Sequence, residues 1–235
     1  MALPFFYKED LVASNTDVVL DEDTSKHVVQ VLRMQNGEQL QLTNGRGGLF
    51  TCEITDNNRK RCAVKIIKTI NGQRSTNNIT IAISLIKNSS RLEWFLEKAT
   101  ELGITEIIPL VCTRTEKTAF KLDRMKSILV SAMLQSQQCY LPVLHDPTRF
   151  ELVIASSGHQ QKFIAHCIEA EKRNLSEMIN ASLFSKIILI GPEGDFTPAE
   201  IEQALQYHFI AVALGETRLR TETAGIAAAC LLCLV

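Results

Sequence analysis

From about residue 78 to its end, the sequence alternates short apolar runs with longer segments whose apolar residues recur at helical spacing. The apolar runs are NITIAISLI, ITEIIPLV, KFIAHCI, KIILIG and FIAVALG. The helical segments are KNSSRLEWFLEKATELG, KLDRMKSILVSAMLQSQQ, TPAEIEQALQYH and a closing apolar stretch from about Thr221. This alternation is typical of a mainly parallel sheet covered by helices on both faces. It predicts an α/β domain over residues 73–235.

Residues 1–72 have a different pattern. The segments DVVL, EQLQLTN, GGLFTCEITD and CAVKIIKTI alternate in polarity or are β-branched, and the turn signals QNGE and NGRGG separate them. Short strands joined by tight turns predict a small barrel-like β domain. The polar stretch NGQRSTNN at 71–78 marks the expected boundary between the two domains.

Composition excludes several classes of protein. A net charge of −1 and a hydrophobic content of 46 % are ordinary for a soluble globular protein and argue against a general polycation. The N-terminal residues have no signal-peptide pattern. The longest apolar run, Ala224 to Val235, is shorter than the about 20 residues that a membrane-spanning helix needs. The seven scattered cysteines do not indicate a disulfide framework, and the pair Cys230 and Cys233 favours buried thiols on a core helix over a metal or redox site. We therefore expect a cytoplasmic protein with no membrane segment and no metal site.

Two predicted strands end in glycine loops that lead directly into helices, LIGPEGDFTP and LGETRLRTET. In open parallel sheets, ligands bind at the carboxyl ends of the strands, so these loops predict a ligand site. Neither loop has the G-x-x-x-x-G-K-[ST] or G-x-G-x-x-G pattern that binds nucleotide phosphates. Glu193 and Asp195 would repel a triphosphate but attract a ligand with positive charge, such as a sulfonium.

Residue types at the helix ends predict the caps. Ser90 and Glu93 have the spacing of a capping box at the start of one helix, and Thr197 and Glu200 have it at another. Either Thr221 or Thr223 is expected to cap the closing helix.

These segments resemble the RsmE family, the SPOUT-class methyltransferases of small-subunit ribosomal RNA. LIGPEGDFT and LGETRLRTETAGIAA are similar to the two cofactor loops of that family. The resemblance extends upstream through RLEWFLEKATELGITEIIPL and HVVQVLRMQNGE. The matching positions are Lys87, Arg91, Glu93, Lys98, Glu101, Gly103, Pro109, His27, Val31, Leu32, Arg33 and Gly37.

The resemblance implies a small PUA-like β-barrel domain followed by a SPOUT-type parallel sheet with a C-terminal trefoil knot. It also implies a homodimer that binds S-adenosyl-L-methionine and methylates N3 of one uridine in the 16S rRNA of the 30S subunit. The residues implied to bind the cofactor are His166, Leu189, Ile190, Gly191, Pro192, Glu193, Gly194, Phe196, Leu214, Gly215, Leu219, Arg220, Thr221, Thr223 and Ala224.

The chain departs from the family pattern at three places. Gln138 stands where the family often has arginine, the usual arginine before Phe5-Phe6 is absent, and Asp195 stands where a second glycine is common. The first two departures affect expected RNA contacts, whereas the third lies in a cofactor loop.

Methyl transfer to a uridine nitrogen requires that the nitrogen lose its proton. We expect Arg220 to stabilise the uridine anion, because its guanidinium is always charged. Glu222 is the nearby carboxylate that could act as base; its alternative role is to complement the dipole of the closing helix.

RNA contact is predicted from a local concentration of positive charge. Between Asn57 and Leu92 there is no acidic residue. The alternative is a solvated basic face without a partner. The basic residues of this window are Arg59, Lys60, Arg61, Lys65, Lys68, Arg74, Lys87 and Arg91, and Arg33 joins them through the family element.

Two other functions stay open at this point. One is a catalytically silent, ribosome-associated RNA-binding factor, which the missing RNA-side arginines would favour. The other is a related knotted methyltransferase that acts on tRNA.

Overall fold

The computed structural model describes residues 3–12, 14–73, 76–168 and 172–234. The chain divides into two compact units, one formed by Met1–Arg74 and Met133–Leu141, the other by Ser75–Ala132 and Pro142–Val235. The short segment Met133–Leu141 therefore belongs to the first unit although it follows much of the second in sequence. Arg74, one of the predicted basic residues, lies outside the described residues, beside the expected domain boundary.

The first unit is built on one five-stranded sheet in the order β1-β3-β4-β5-β2. Strands β1 and β3 pair in parallel and the other neighbours are antiparallel. The four predicted strand segments form β2 to β5. Its elements are β1 (Phe5–Tyr7), β2 (Asp17–Val19), α1 (Glu22–Lys26), a π-helical segment (His27–Val31), β3 (Gln39–Thr43), β4 (Gly48–Asp56) and β5 (Ala63–Asn71).

The segment Met133–Leu141 is attached to this unit by backbone groups. Gly47 N donates to Cys139 O at 2.8 Å, and Leu141 N donates to Gly45 O at 2.9 Å. The Tyr140 hydroxyl donates to Gly72 O at 2.8 Å. Only the bond of the Tyr140 hydroxyl depends on the type of a side chain. The other two join backbone groups, so the sequence pattern carried little signal for them.

The second unit contains an eight-stranded sheet in which every described pairing is parallel, as the alternation predicted. The order is β11-β13-β10-β12-β6-β7-β8, with β9 also pairing with β7. Strands β12 and β13 therefore lie on either side of β10. The elements are β6 (Asn78–Ser84), α2 (Ser89–Glu101), β7 (Glu106–Val111), α3 (Leu122–Gln135), β8 (Val143–Leu144), β9 (Thr148–Arg149), α4 (Phe150–Ser156), β10 (Gln161–Ala165), β11 (Arg173–Asn174), α5 (Leu175–Met178), β12 (Ser185–Ile190), α6 (Pro198–Gln206), β13 (Ile210–Ala213) and α7 (Thr221–Cys233).

The start of α2 differs from the prediction. Its N-cap is Asn88, whose side chain accepts a hydrogen bond from Ser90 N at 3.0 Å. The predicted capping box of Ser90 and Glu93 is therefore wrong. The Glu93 carboxylate instead accepts two hydrogen bonds from Arg124, at 2.7 and 2.8 Å, because a bidentate guanidinium is the stronger partner.

Helix α7 packs against α2 at unusually close range. A Cβ atom added to Gly225 would lie 2.7 Å from Phe95 Cε2 and 2.9 Å from Ile83 Cδ1. Only a residue without a side chain lets α7 approach this closely, so Gly225 sets the distance between the two helices. Among the residues that the structure describes, no helix has the length and apolar character needed to cross a lipid bilayer.

Replacing Gly225 by alanine should destabilise the second unit by about 1–3 kcal/mol, because the added methyl overpacks the contact with Phe95. Denaturant unfolding of the purified protein measures this. Gly158→Ala is the matched control, since no atom lies within 4 Å of a Cβ at that position. Equal midpoints for the two variants would contradict the packing argument.

Candidate functional site

The two glycine loops meet at the carboxyl edge of the parallel sheet. Loop 1, residues 191–197, follows β12, and loop 2, residues 214–220, follows β13. The Thr221 hydroxyl, at the start of α7, donates a buried hydrogen bond to Gly191 O at 3.1 Å. This single bond joins the end of loop 2 to the beginning of loop 1.

The same bond explains a wrong prediction about the helix cap. The N-cap of α7 is Arg220, and its side chain makes no capping hydrogen bond. Thr221 and Thr223 both lie within the first turn of the helix, so neither is the cap. The Thr221 hydroxyl binds the neighbouring loop rather than its own helix.

The end of loop 1 is capped as the sequence predicted. Thr197 Oγ1 accepts from Glu200 N at 3.2 Å, and Glu200 Oε2 accepts from Thr197 N at 2.7 Å. Glu200 Oε1 also accepts from Thr113 N at 2.8 Å. Burial alone would raise the pKa of Glu200, but the N–H donors of Thr113 and Thr197 lower it overall. The ionised carboxylate therefore holds loop 1 at the head of α6.

Loop 1 is also held by contacts that sequence reasoning did not predict. Arg114 Nη1 donates to Gly194 O at 2.7 Å, and Lys87 N donates to Glu193 Oε1 at 3.2 Å. Cys167 N, just beyond β10, donates to Asp195 Oδ2 at 2.8 Å. Arg114 and Cys167 each follow the carboxyl end of a predicted strand, and that position was the available signal.

Asp195 has the left-handed backbone conformation, with φ +63°. Glycine adopts this conformation without steric cost, and aspartate tolerates it better than most residues. Aspartate can therefore replace the glycine that is common in the family at this position. It keeps the turn, and its carboxylate accepts the additional hydrogen bond from Cys167 N.

Two adjoining cavities of about 280 and 380 Å³ form one cleft between the loops and the end of β10. Both are lined by Ala165, Cys167, Arg218, Leu219 and Ala224. Most of the residues predicted to bind a cofactor line this cleft, namely His166, Ile190, Gly191, Pro192, Glu193, Leu214, Gly215, Leu219, Arg220, Thr221 and Ala224.

Four predicted residues do not line the cleft. Leu189 and Phe196 are fully buried in the core, where Phe196 packs against Phe150 with ring centroids 5.5 Å apart. Gly194 contacts Arg114, and Thr223 is exposed on α7. Leu189 and Phe196 therefore support the loops from the core rather than from the cleft.

His166 lies at the end of β10 and is buried. Lys172, which sequence reasoning did not predict, donates from Nζ to His166 O at 2.6 Å and to Ile168 O at 2.8 Å. Burial lowers the pKa of His166, the Lys172 ammonium lowers it further, and Asp195 opposes the shift. The imidazole is therefore neutral at neutral pH.

The two predicted catalytic residues face different surroundings. Arg220 is exposed and lines the cleft. The Glu222 carboxylate is directed towards α2, where its Oε1 lies 3.6 Å from Arg91 Nε. Within the described residues, Glu222 Oε2 is buried and has no hydrogen-bond partner. The structure thus pairs Arg91, a predicted RNA contact, with Glu222, a predicted catalytic residue.

The other predicted RNA contacts are also of two kinds. In the second unit, Lys87 Nζ forms an ion pair with Glu116 Oε2 at 2.7 Å. In the first unit, the predicted basic side chains are exposed, and none forms an ion pair with the residues that the structure describes. These are Arg33, Arg59, Lys60, Arg61 and Lys65. No group of three or more His, Cys, Asp or Glu side chains in the described ranges could hold a metal ion.

Comparison with known proteins identifies the family. An RNA methyltransferase domain model matches residues 73–233, and an RNA methyltransferase PUA domain model matches residues 20–67. The ribosomal RNA small subunit methyltransferase E from Neisseria gonorrhoeae, bound to S-adenosyl methionine, is 30 % identical, with a TM-score of 0.86 over 97 % of this chain and 95 % of that one. This chain belongs to the RsmE family.

Two further similar proteins agree. A probable rRNA-methyltransferase from Porphyromonas gingivalis is 39 % identical, with a TM-score of 0.91 over 97 % of this chain and 95 % of that chain. The ribosomal RNA small subunit methyltransferase E of Rickettsia conorii is 28 % identical over 94 % of this chain and 91 % of its own length. Membership of the RsmE family confirms the predicted resemblance, the parallel α/β fold and the PUA-like N-terminal domain.

The buried histidine of this RsmE member predicts a pH dependence of stability. Because the pKa of His166 in the folded chain is below its ordinary value of 6.5, only the unfolded chain binds the proton between the two values. The free energy of unfolding should therefore fall as pH drops below about 6.5, by at most about 1.4 kcal/mol per pH unit for this group.

His166→Asn should remove this part of the dependence just below pH 6.5, measured by denaturant unfolding. The exposed His208 provides the control substitution, His208→Asn. An unchanged pH slope in His166→Asn would contradict the assignment of a buried neutral imidazole. His159, whose pKa is lowered chiefly by burial, should maintain a slope of the same sign in both variants.

Proposed function

We propose that this protein transfers a methyl group from S-adenosylmethionine to N3 of one uridine in 16S rRNA. The proposal rests on the cleft between loops 1 and 2, closed by the bond from Thr221 to Gly191, in a chain of the RsmE family. The family member from Neisseria gonorrhoeae is bound to S-adenosyl methionine.

The chemistry of the cleft fits this cofactor. Ile190, Leu219 and Ala224 provide apolar surface for an adenosine, and the Glu193 and Asp195 carboxylates suit a cationic sulfonium. His166 is neutral at neutral pH and adds no repulsion. When bound, the cofactor supplies an electrophilic methyl group, so the protein must orient the nucleophile and the methyl in line.

Arg220 is the proposed catalytic residue. It lines the cleft, is exposed to an incoming base, and carries a permanent positive charge. Uracil N3 becomes nucleophilic when it loses its proton, and a fixed cation beside the ring stabilises the resulting anion. Glu222 has less support as the base, because its carboxylate is directed towards Arg91.

Arg220→Ala should lower the rate of methyl transfer by about 10²–10³-fold, the usual cost of removing one group that stabilises a developing charge. Calorimetric affinity for the demethylated cofactor should change far less. Arg149→Ala, another exposed arginine of the same unit, is the control. Turnover equal to that of the parent protein would remove Arg220 from the mechanism.

RNA contact is proposed for the basic side chains of the first unit. Arg33, Arg59, Lys60, Arg61 and Lys65 are exposed, as the binding of phosphates requires. Such contacts add affinity without sequence preference and release counterions, so they make binding dependent on salt.

Reversing two of these charges, Lys60→Glu with Arg61→Glu, should weaken RNA binding and reduce the slope of log affinity against log salt by about 1.4 if each contacts one phosphate. Lys117→Glu with Lys121→Glu, two exposed lysines of the second unit, is the control pair. If the reversed variant and the parent have the same slope, these residues do not contact phosphate.

We also propose that the C-terminus of the chain is knotted, that the protein forms a homodimer and that it is cytoplasmic. Strand β12 lies between β6 and β10, and α7 returns from β13 to pack on α2 and β6, which is compatible with a threaded C-terminus. Helix α7 is apolar nearly throughout, and Leu234 beyond it is 73 % exposed, which suits burial against a second copy. A crystal structure tests the knot, and a C-terminus that is not threaded would contradict it. Light scattering tests the homodimer, and the mass of a monomer would contradict it.

The decisive test of the function is to map methylated uridines in cellular RNA after deletion of the gene and after its restoration. Loss and recovery of one N3-methyl in 16S rRNA supports the proposal. Loss of a mark in tRNA would indicate the tRNA enzyme, and no change in any mark would indicate a silent RNA-binding factor.

A further inference from the structure

The segment from Lys87 to Arg91, at the junction of β6 and α2, contacts the chain at both sides of the cleft. Lys87 N donates to Glu193 Oε1 of loop 1 at 3.2 Å. Four residues later, Arg91 Nε lies 3.6 Å from Glu222 Oε1, in the first turn of α7 just after loop 2. The segment at the start of α2 therefore contacts loop 1 and the helix that directly follows loop 2.

Glu222 depends on Arg91 for its charge balance. The Glu222 side chain is 9 % exposed, and Arg91 is the cation in its one ion pair within the described residues. Its second oxygen, Oε2, is buried there without a hydrogen-bond partner. A buried carboxylate that loses its cation is strongly unfavourable, so it must regain contact with water.

Movement of Glu222 towards water would disturb the cleft directly. Thr221 precedes Glu222, and its hydroxyl makes the bond to Gly191 that joins the two loops. Arg220, which lines the cleft, precedes Thr221. Gly225 packs closely against Phe95 of α2 one turn later, so α7 is in tight contact with α2 directly after Glu222.

We propose that Arg91 is a positioning residue of the cofactor site: it neutralises Glu222 and thereby keeps loops 1 and 2 joined. This inference rests on the proposed function, since it assigns the site to the cofactor. It replaces the expectation that Arg91 contacts RNA phosphate, because its charge is already paired with a buried carboxylate.

The two roles of Arg91 give opposite experimental results. Loss of a phosphate contact weakens RNA binding and lowers its salt slope but leaves cofactor affinity unchanged. Loss of a positioning residue weakens cofactor affinity and leaves the salt slope unchanged. Both quantities are measurable without turnover.

The test is calorimetric titration of the full-length protein with S-adenosylhomocysteine, the demethylated cofactor. Arg91→Gln should weaken binding at least about tenfold, and Arg91→Lys, which keeps the charge, should recover part of the loss. Arg124→Gln is the matched control. Like Arg91→Gln it removes an arginine from an ion pair of α2, but the pair that it breaks is with Glu93 and does not involve α7. It should bind like the parent.

A second substitution makes the test specific for the ion pair. Adding Glu222→Gln to Arg91→Gln removes the carboxylate that needs a cation, so the double variant should bind more tightly than Arg91→Gln alone. Non-additivity across four proteins, the parent, Arg91→Gln, Glu222→Gln and the double variant, identifies direct coupling between the two residues. It also keeps the test valid if Arg91→Gln alone does not fold, because the double variant should fold and bind.

Two outcomes would overturn the inference. The first is an Arg91→Gln variant that binds S-adenosylhomocysteine like the parent. The second is a folded double variant that binds S-adenosylhomocysteine no more tightly than Arg91→Gln does. Where Arg91→Gln does not fold, the contradicting result is a double variant that binds at least about tenfold more weakly than the parent. If the parent protein itself binds no S-adenosylhomocysteine, the proposed function fails. The coupling of Arg91 to Glu222 is then read from thermal unfolding of the same four proteins.

Discussion

The hydrogen bond from the Thr221 hydroxyl to the Gly191 carbonyl is the contact on which the site depends. It is buried and joins two loops that follow different strands of the sheet, with a third strand between them. An unmade hydrogen bond at a buried carbonyl costs about 1–3 kcal/mol, so the loops are held together rather than merely adjacent. The cleft exists because these two strand ends are kept at a constant distance.

Other parts of the second unit hold that bond in place. Loop 1 is attached to the ends of β7 and β10 through Arg114 and Asp195. Loop 2 is positioned through α7, which packs on α2 at Gly225. The attachments are made by a backbone carbonyl, one carboxylate and one glycine. The sheet and its helices therefore determine where the loop residues lie.

The two units differ in whether their basic side chains are paired with carboxylates, and the net charge of the chain does not reveal this difference. The basic side chains predicted to contact RNA in the first unit are exposed and form no ion pair within the described residues, whereas Lys87 and Arg91 of the second unit pair with Glu116 and Glu222. A count of positive residues along the sequence treats all of them alike. Their acidic partners lie more than twenty positions away in sequence, so only folding reveals which charges are available to RNA.

The sequence by itself determined the parallel sheet, the approximate bounds of α2, α3, α6 and α7, the capping box at Thr197 and the two glycine loops, because each follows from local periodicity or turn chemistry. It did not predict the short helices α4 and α5. The resemblance carried by those loops determined the family. The tertiary structure alone decided that Thr221 binds Gly191 rather than caps its helix, that Arg114, Cys167 and Lys172 complete the site, and that Glu222 is paired with Arg91. These contacts join residues that are distant in the chain, and no local pattern encodes which polar groups the packing of separate elements will bring together.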